Sequence, residues 1–160
     1  MLSRVFTPII FLNLILLITF SISINSLVEM QNINIIFYIL FHLTFIYLLF
    51  YHYNYFLYIL GFVYGVFFDL SLINSIGSHL LTFIILISIF VLIKKRLFLL
   101  SSYQVSITIF LTLIIVLFVE SFFAFLFNNI YFTSSKMIKY IVISTIIFIP
   151  SIFILNKLNR

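Results

Sequence analysis

The sequence predicts an all-α integral membrane protein: a compact bundle of six transmembrane helices forming a single domain over residues 1–160. Three observations carry that expectation. The chain is 66% hydrophobic with a mean hydropathy of +1.41. Only 7% of its residues are charged, against about 25% in a soluble domain. Its apolar residues fall into runs of about 20, the length needed to cross a hydrocarbon core of about 30 Å at 1.5 Å per residue. Eight Lys+Arg and three Asp+Glu cannot cover the surface of a water-soluble enzyme, and a disordered chain needs low hydrophobicity and high charge. With no Cys there is no disulfide framework, thiolate nucleophile or Cys-ligated metal.

Polar breaks mark the spans. The first run, 5–24, follows Arg4. It is longer than a signal-peptide core and no small-x-small cleavage site follows, so it reads as an uncleaved span. A break containing Glu29, Gln31 and Asn34 leads to the second run, 35–53. Asn54 alone separates it from the third, 55–73. Asn74-Ser75-Ile76-Gly77-Ser78 is a turn signal. The fourth run, 79–93, ends at Lys94-Lys95-Arg96. Residues 97–104 contain Ser101, Ser102 and Gln104 and are assigned to the membrane interface, so the fifth span is 105–127. A polar loop then precedes the sixth span, 137–155. The runs are continuously apolar, whereas barrel strands alternate with period two. No internal repeat supports an inverted-repeat transporter.

Lys and Arg set the orientation. With the N-terminus in the cytoplasm, Arg4, Lys94, Lys95, Arg96, Lys157 and Arg160 lie inside, and only Lys136 and Lys139 lie outside. The expectation is therefore a multi-pass membrane protein with both termini cytoplasmic. Tyr47, Tyr51, Tyr53, Tyr55 and Tyr58 cluster around the second-to-third turn, where an aromatic belt belongs.

Gly61, Gly65 and Asp69 recur every four residues and so share one helix face. Two glycines at that spacing admit a second helix closely, and Asp69 is aimed at the same interface. A mid-bilayer Asp costs about 2.5–3.5 kcal/mol, which the surrounding Ile, Leu and Phe offset. Glu120 lies within the fifth span and shares a face with Ala124, the chain's lone alanine, and Asn128. Asp69, His79 and Glu120 fall in the outer half of the membrane and are expected to gather in one polar cluster. His42 lies mid-span with no acid at i±3 or i±4 and reads as a hydrogen-bonded interior residue. No zincin, nucleophile-elbow or phosphate-loop pattern occurs, and the scattered His and carboxylates lack metal-ligand spacing. The expectation is no enzyme, no metal and no cofactor. The Lys94-Lys95-Arg96 cluster reads first as a topological anchor, with some attraction to anionic lipid.

The stretch Leu60-Gly61-Phe62-Val63-Tyr64-Gly65-Val66-Phe67-Phe68-Asp69-Leu70-Ser71, followed by Ile76-Gly77-Ser78-His79-Leu80-Leu81, resembles the bacterial rod shape-determining MreD family. The family's hallmark is a Gly-x-x-x-Asp-Leu-x-Ser helix end, a short turn with Pro-Leu-Gly, and an apolar helix that often begins with His. Gly65, Asp69, Leu70, Ser71, Gly77 and His79 match; the usual Pro is Ser75 here, which makes the turn less rigid. The resemblance covers about twenty residues. It implies a non-enzymatic scaffold of the elongation machinery (the elongasome) that supports lateral peptidoglycan synthesis and cell shape. Its implied partners are an MreC-like protein, with MreB, a RodA-type glycosyltransferase and a class B penicillin-binding protein around them. Gly61, Gly65, Asp69 and Ser71 would form the packing or partner face, and Gly77 and His79 would set the turn. It also implies a fold similar to the six-helix substrate-binding subunits of energy-coupling-factor transporters. The alternative is therefore a substrate-binding subunit for a vitamin-type solute. Those subunits often carry alanine-rich contacts on their first helix, and the first span here has no Ala.

Overall fold

The computed structural model describes residues 8–25, 31–72, 76–97, 99–129 and 133–159. Among them the chain is wholly α-helical, with α1 (Pro8–Asn25), α2 (Gln31–Tyr51), α3 (Phe56–Leu72), α4 (Ser78–Leu97), α5 (Ser102–Asn128) and α6 (Ser134–Leu158). Four helices are long and apolar enough to cross a membrane: α2 over Ile33–Tyr51, α4 over Ser78–Lys95, α5 and α6. The apolar parts of α1 and α3, Pro8–Ser23 and Phe56–Leu72, are shorter; the 17 residues of α3 extend about 26 Å. Arg4, Glu29, Asn74, Ser75 and Arg160 lie outside the described residues.

Two helix ends differ from the sequence reading for identifiable reasons. The helix that was to stop before Lys94 continues through the basic triplet to Leu97, because Lys and Arg are good helix formers and suit a helix C-terminus. α5 begins at Ser102 rather than 105, because Ser101 and Gln104 form a reciprocal capping box. Ser-x-x-Gln satisfies two of the backbone N–H groups orphaned at a helix start.

The chain divides into two units, Met1–Leu48 with Ser134–Arg160, and Leu49–Thr133. In the first, Pro8 opens α1, where its missing N–H is no loss. Asn13 of α1 donates to the Phe41 carbonyl (3.0 Å) and to Thr44 Oγ1 (2.6 Å) on α2, while the Ser23 hydroxyl donates to the Asn34 side-chain oxygen. The pairing falls along α2 as it rises along α1, so the two helices are antiparallel. On α6, Tyr140 meets Tyr38 edge-on at 6.1 Å and Asn156 accepts from the Tyr47 hydroxyl at 2.9 Å. That pairing rises along both helices, so α2 and α6 run parallel. α2 is buried without interruption from Phe41 to Leu48, as a helix apolar on every side should be.

The second unit holds α3, α4 and α5 as successive antiparallel hairpins. Asn54 opens α3 by accepting the Leu57 N–H through its side chain (3.2 Å). Phe68 stacks on Phe83 (6.3 Å) between α3 and α4. Four Ser and Thr hydroxyls of α4 and α5 are satisfied within their own helix. Thr82 donates to the Ser78 carbonyl, Ser88 to Ile84, Thr112 to Thr108 and Ser121 to Leu117, each at 2.8 Å. Such back-bonding removes the cost of carrying Ser and Thr through hydrocarbon.

Candidate functional site

The chemistry of the second unit concentrates where α3 meets the start of α4. Asp69 lies one turn from the end of α3 and is fully buried. A negative charge near a helix C-terminus is opposed by that helix's own dipole, whereas the N-terminus of α4 supplies positive potential and unpaired N–H donors. Asp69 Oδ2 accepts from the N–H groups of Gly77 (2.7 Å) and Leu80 (3.2 Å). Oδ1 accepts from the N–H of His79 (2.8 Å) and from the His79 ring Nδ1–H (2.9 Å). An ionised carboxylate offers about four acceptor positions, and all are filled. Asp69 is therefore the N-cap of α4, supplied from the neighbouring helix.

Gly65 makes that reach possible. A Cβ there would stand 2.4 Å from the Leu80 Cα, so α4's backbone occupies the space where a side chain would be. Gly77 adopts φ 157°, a value that side chains resist, as the chain turns into α4. The His79 ring stacks on Phe68 at 5.7 Å, which fixes its plane toward the carboxylate. On the other flank of the helix start, Ser78 is buried and accepts a hydrogen bond from the Asn128 amide of α5 at 3.0 Å. Asn129 closes α5 in a left-handed conformation (φ 52°).

The structure thus brings Gly65, Asp69, Gly77 and His79 into one constellation. Gly61 is buried on the same face of α3, and Ser71 is exposed. Of the three groups expected to cluster, Asp69 and His79 are bonded directly, and every hydrogen bond of Asp69 ends on residues 77–80. Glu120 is buried on α5 together with Ala124. His42 is buried and donates from Nδ1 to the Tyr38 carbonyl one turn back, at 2.8 Å.

Residues 78 and 128 were not singled out as partners by sequence reasoning, and fifty positions separate them. Asn13 was missed as well. Its signal was available, since a lone Asn inside an apolar run must find acceptors. Chemically, a carboxylate with every lone pair engaged has none left to bind a metal or take a proton from a substrate. The constellation clasps two helices. Comparisons of the chain with protein-family models, with characterised proteins and with solved structures give no match.

Proposed function

We propose that this chain is a six-span inner-membrane scaffold of bacterial cell elongation, similar to the MreD family, and that it carries out no chemistry of its own. It binds an MreC-like protein and supports lateral peptidoglycan synthesis and rod shape beside MreB, a RodA-type glycosyltransferase and a class B penicillin-binding protein. Both termini are cytoplasmic in this reading, which rests on the six-to-two distribution of Lys and Arg. The observation that carries the proposal is the clasp. Gly65, Asp69, Gly77 and His79 are four of the six residues that carry the resemblance, and these four close the α3–α4 hairpin through Asp69's hydrogen bonds and Gly65's close approach. A motif with that structural use suits a protein whose work is to hold a shape for others to bind.

The test is affinity purification of the full chain from crosslinked membranes, together with cell morphology. The expected result is recovery of a single-span, coiled-coil MreC-like protein, and rounded cells when residues 61, 65 and 69 are all replaced by leucine. A chain that instead elutes with a bound vitamin-type solute would point to the transporter alternative. Normal rods in cells carrying the triple replacement would end the scaffold reading.

A further inference from the structure

At the opposite end of the α3–α4 hairpin from the clasp, the chain gathers positive charge and aromatic rings, with no acid beside them among the described residues. Lys94 holds its ammonium 4.8 Å from the centroid of the Tyr53 ring, a cation–π geometry. Tyr53 is fixed in turn by Phe90 at 5.6 Å and by Tyr55 edge-on at 6.2 Å, and Phe50 braces Phe90 at 5.2 Å. The Tyr53 phenol is a hydrogen-bond donor. Lys95 follows, exposed, and Tyr55 and Leu92 project outward beside it.

Among the described residues the only carboxylates are Asp69 and Glu120. Asp69 is consumed at the start of α4, and the fifteen residues from His79 to Lys94 extend about 22 Å. Glu120 lies about 27 Å along α5 from Ser102, the residue that begins α5 just beyond α4's basic end. Neither can neutralise Lys94 or Lys95, so no carboxylate among the described residues supplies their counter-charge. Lys94 is held over a ring, with N–H donors still free to face outward. The ring belongs to an aromatic belt at a helix end, the level of phospholipid headgroups.

We propose that Lys94, Lys95 and Tyr53 form a binding site for the phosphate of an anionic phospholipid of the phosphatidylglycerol class, with Tyr55 and Leu92 flanked by its acyl chains. The ammonium groups take the phosphate oxygens and the Tyr53 hydroxyl donates a further hydrogen bond. A phosphate held at this point ties the α2–α3 turn to the end of α4. The site depends on these helices being in a bilayer and not on the scaffold reading, and its test contains no protein partner, so either proposal can fail alone.

The test uses the purified full chain in phosphatidylcholine vesicles carrying spin-labelled phosphatidylglycerol or spin-labelled phosphatidylcholine, with the motionally restricted lipid read by electron spin resonance. A lysine near an anionic surface is worth about a five-fold preference. The wild-type chain is expected to retain phosphatidylglycerol at least about five-fold over phosphatidylcholine. Lys94→Gln with Lys95→Gln abolishes the preference, Tyr53→Leu reduces it, and Lys94→Arg and Lys139→Gln retain it. Circular dichroism confirms that each variant keeps its helices, and Lys94→Arg shows that charge rather than folding is being read. Equal retention of the two lipids by the wild-type chain overturns the proposal and leaves the lysines to an acidic protein partner. A preference that survives the double replacement overturns it too. So does release of the labelled phosphatidylglycerol by inorganic phosphate at matched ionic strength, which identifies a site for soluble phosphate.

Discussion

Replacing Gly65 by alanine forces two helix backbones apart. The added methyl would stand 2.4 Å from the Leu80 Cα and 2.9 Å from its N. Neither atom belongs to a side chain that can rotate away, so relief requires α4 to retreat by about 1 Å to reach ordinary contact distance. That retreat carries the Leu80 N–H, already 3.2 Å from Asp69 Oδ2, beyond hydrogen-bond reach. Overpacking costs about 1–3 kcal/mol, and a lost hydrogen bond to a charged group about 1.5–3 kcal/mol. Alanine returns about 0.5–1 kcal/mol over glycine within a helix. The net loss is about 1.5–5.5 kcal/mol. The assay is reversible unfolding of the purified full chain in mixed micelles, followed by circular dichroism. Val63→Ala, at an exposed position of the same helix, serves as the reference and stays within about 0.5 kcal/mol of the wild type. A Gly65→Ala protein as stable as that reference would refute the close approach of α3 and α4, and the clasp with it.

Three further outcomes follow from the same geometry. Asp69→Asn puts an amide NH2 against N–H donors and removes the charge, and is expected to cost about 3–5 kcal/mol in the same unfolding assay; in a double-mutant cycle with alanine at both positions, Asp69 and His79 couple by about 0.5–3 kcal/mol, and additive losses would separate them. Asn13→Ala removes the hydrogen bonds to Phe41 and Thr44 and is expected to cost about 0.6 kcal/mol, with about 1.7 kcal/mol as the upper bound for such bonds in membranes; a larger loss would mean that α1 depends on Asn13 for more than these bonds. The chain has no native cysteine, so Ile76→Cys and Lys95→Cys can be probed in intact cells with a membrane-impermeant thiol reagent, which is expected to label the first and not the second; labelling of both from one side would refute a membrane-crossing α4.

The order and kind of the helices were legible because they depend on local properties, namely run length, polar breaks and the four-residue recurrence of Gly61, Gly65 and Asp69. His79 was anticipated as a neighbour of Asp69, but the backbone partners of Asp69 were not legible. Asp69 bonds mainly to backbone N–H groups of residues 77, 79 and 80, and a backbone donor leaves no mark in residue type. Spacing aimed the acid at a neighbouring helix but could not say that the target was that helix's end. The start of α5 was legible in Ser101 and Gln104, and polarity drew attention to the interface instead of to the cap. Pairings such as Ser78 with Asn128, or Tyr47 with Asn156, join positions 50 and 109 residues apart. They follow from how helices pack, which no periodicity within a single helix encodes.

An acid inside an apolar helix ordinarily marks a pathway or a ligand site, and the difference here lies in its lone pairs. A transport or relay carboxylate must exchange partners, and each exchange by Asp69 would release a donor at the start of α4 into a buried setting at about 1–3 kcal/mol. Moving all its bonds together would unfasten the hairpin. Asp69 is thus poised to hold rather than to cycle. This bears on how a partner would sense the motif. Gly65, Asp69 and His79 are turned inward, while Leu70, Ser71 and Ile76 stand exposed around the same turn. Loss of partner binding in Gly65 or Asp69 variants would therefore reflect a displaced turn rather than a lost contact. Replacement of Leu70, Ser71 and Ile76 by alanine separates the two effects: it leaves unfolding within about 0.5 kcal/mol per site, yet weakens capture of the MreC-like protein if the partner reads the surface of the turn.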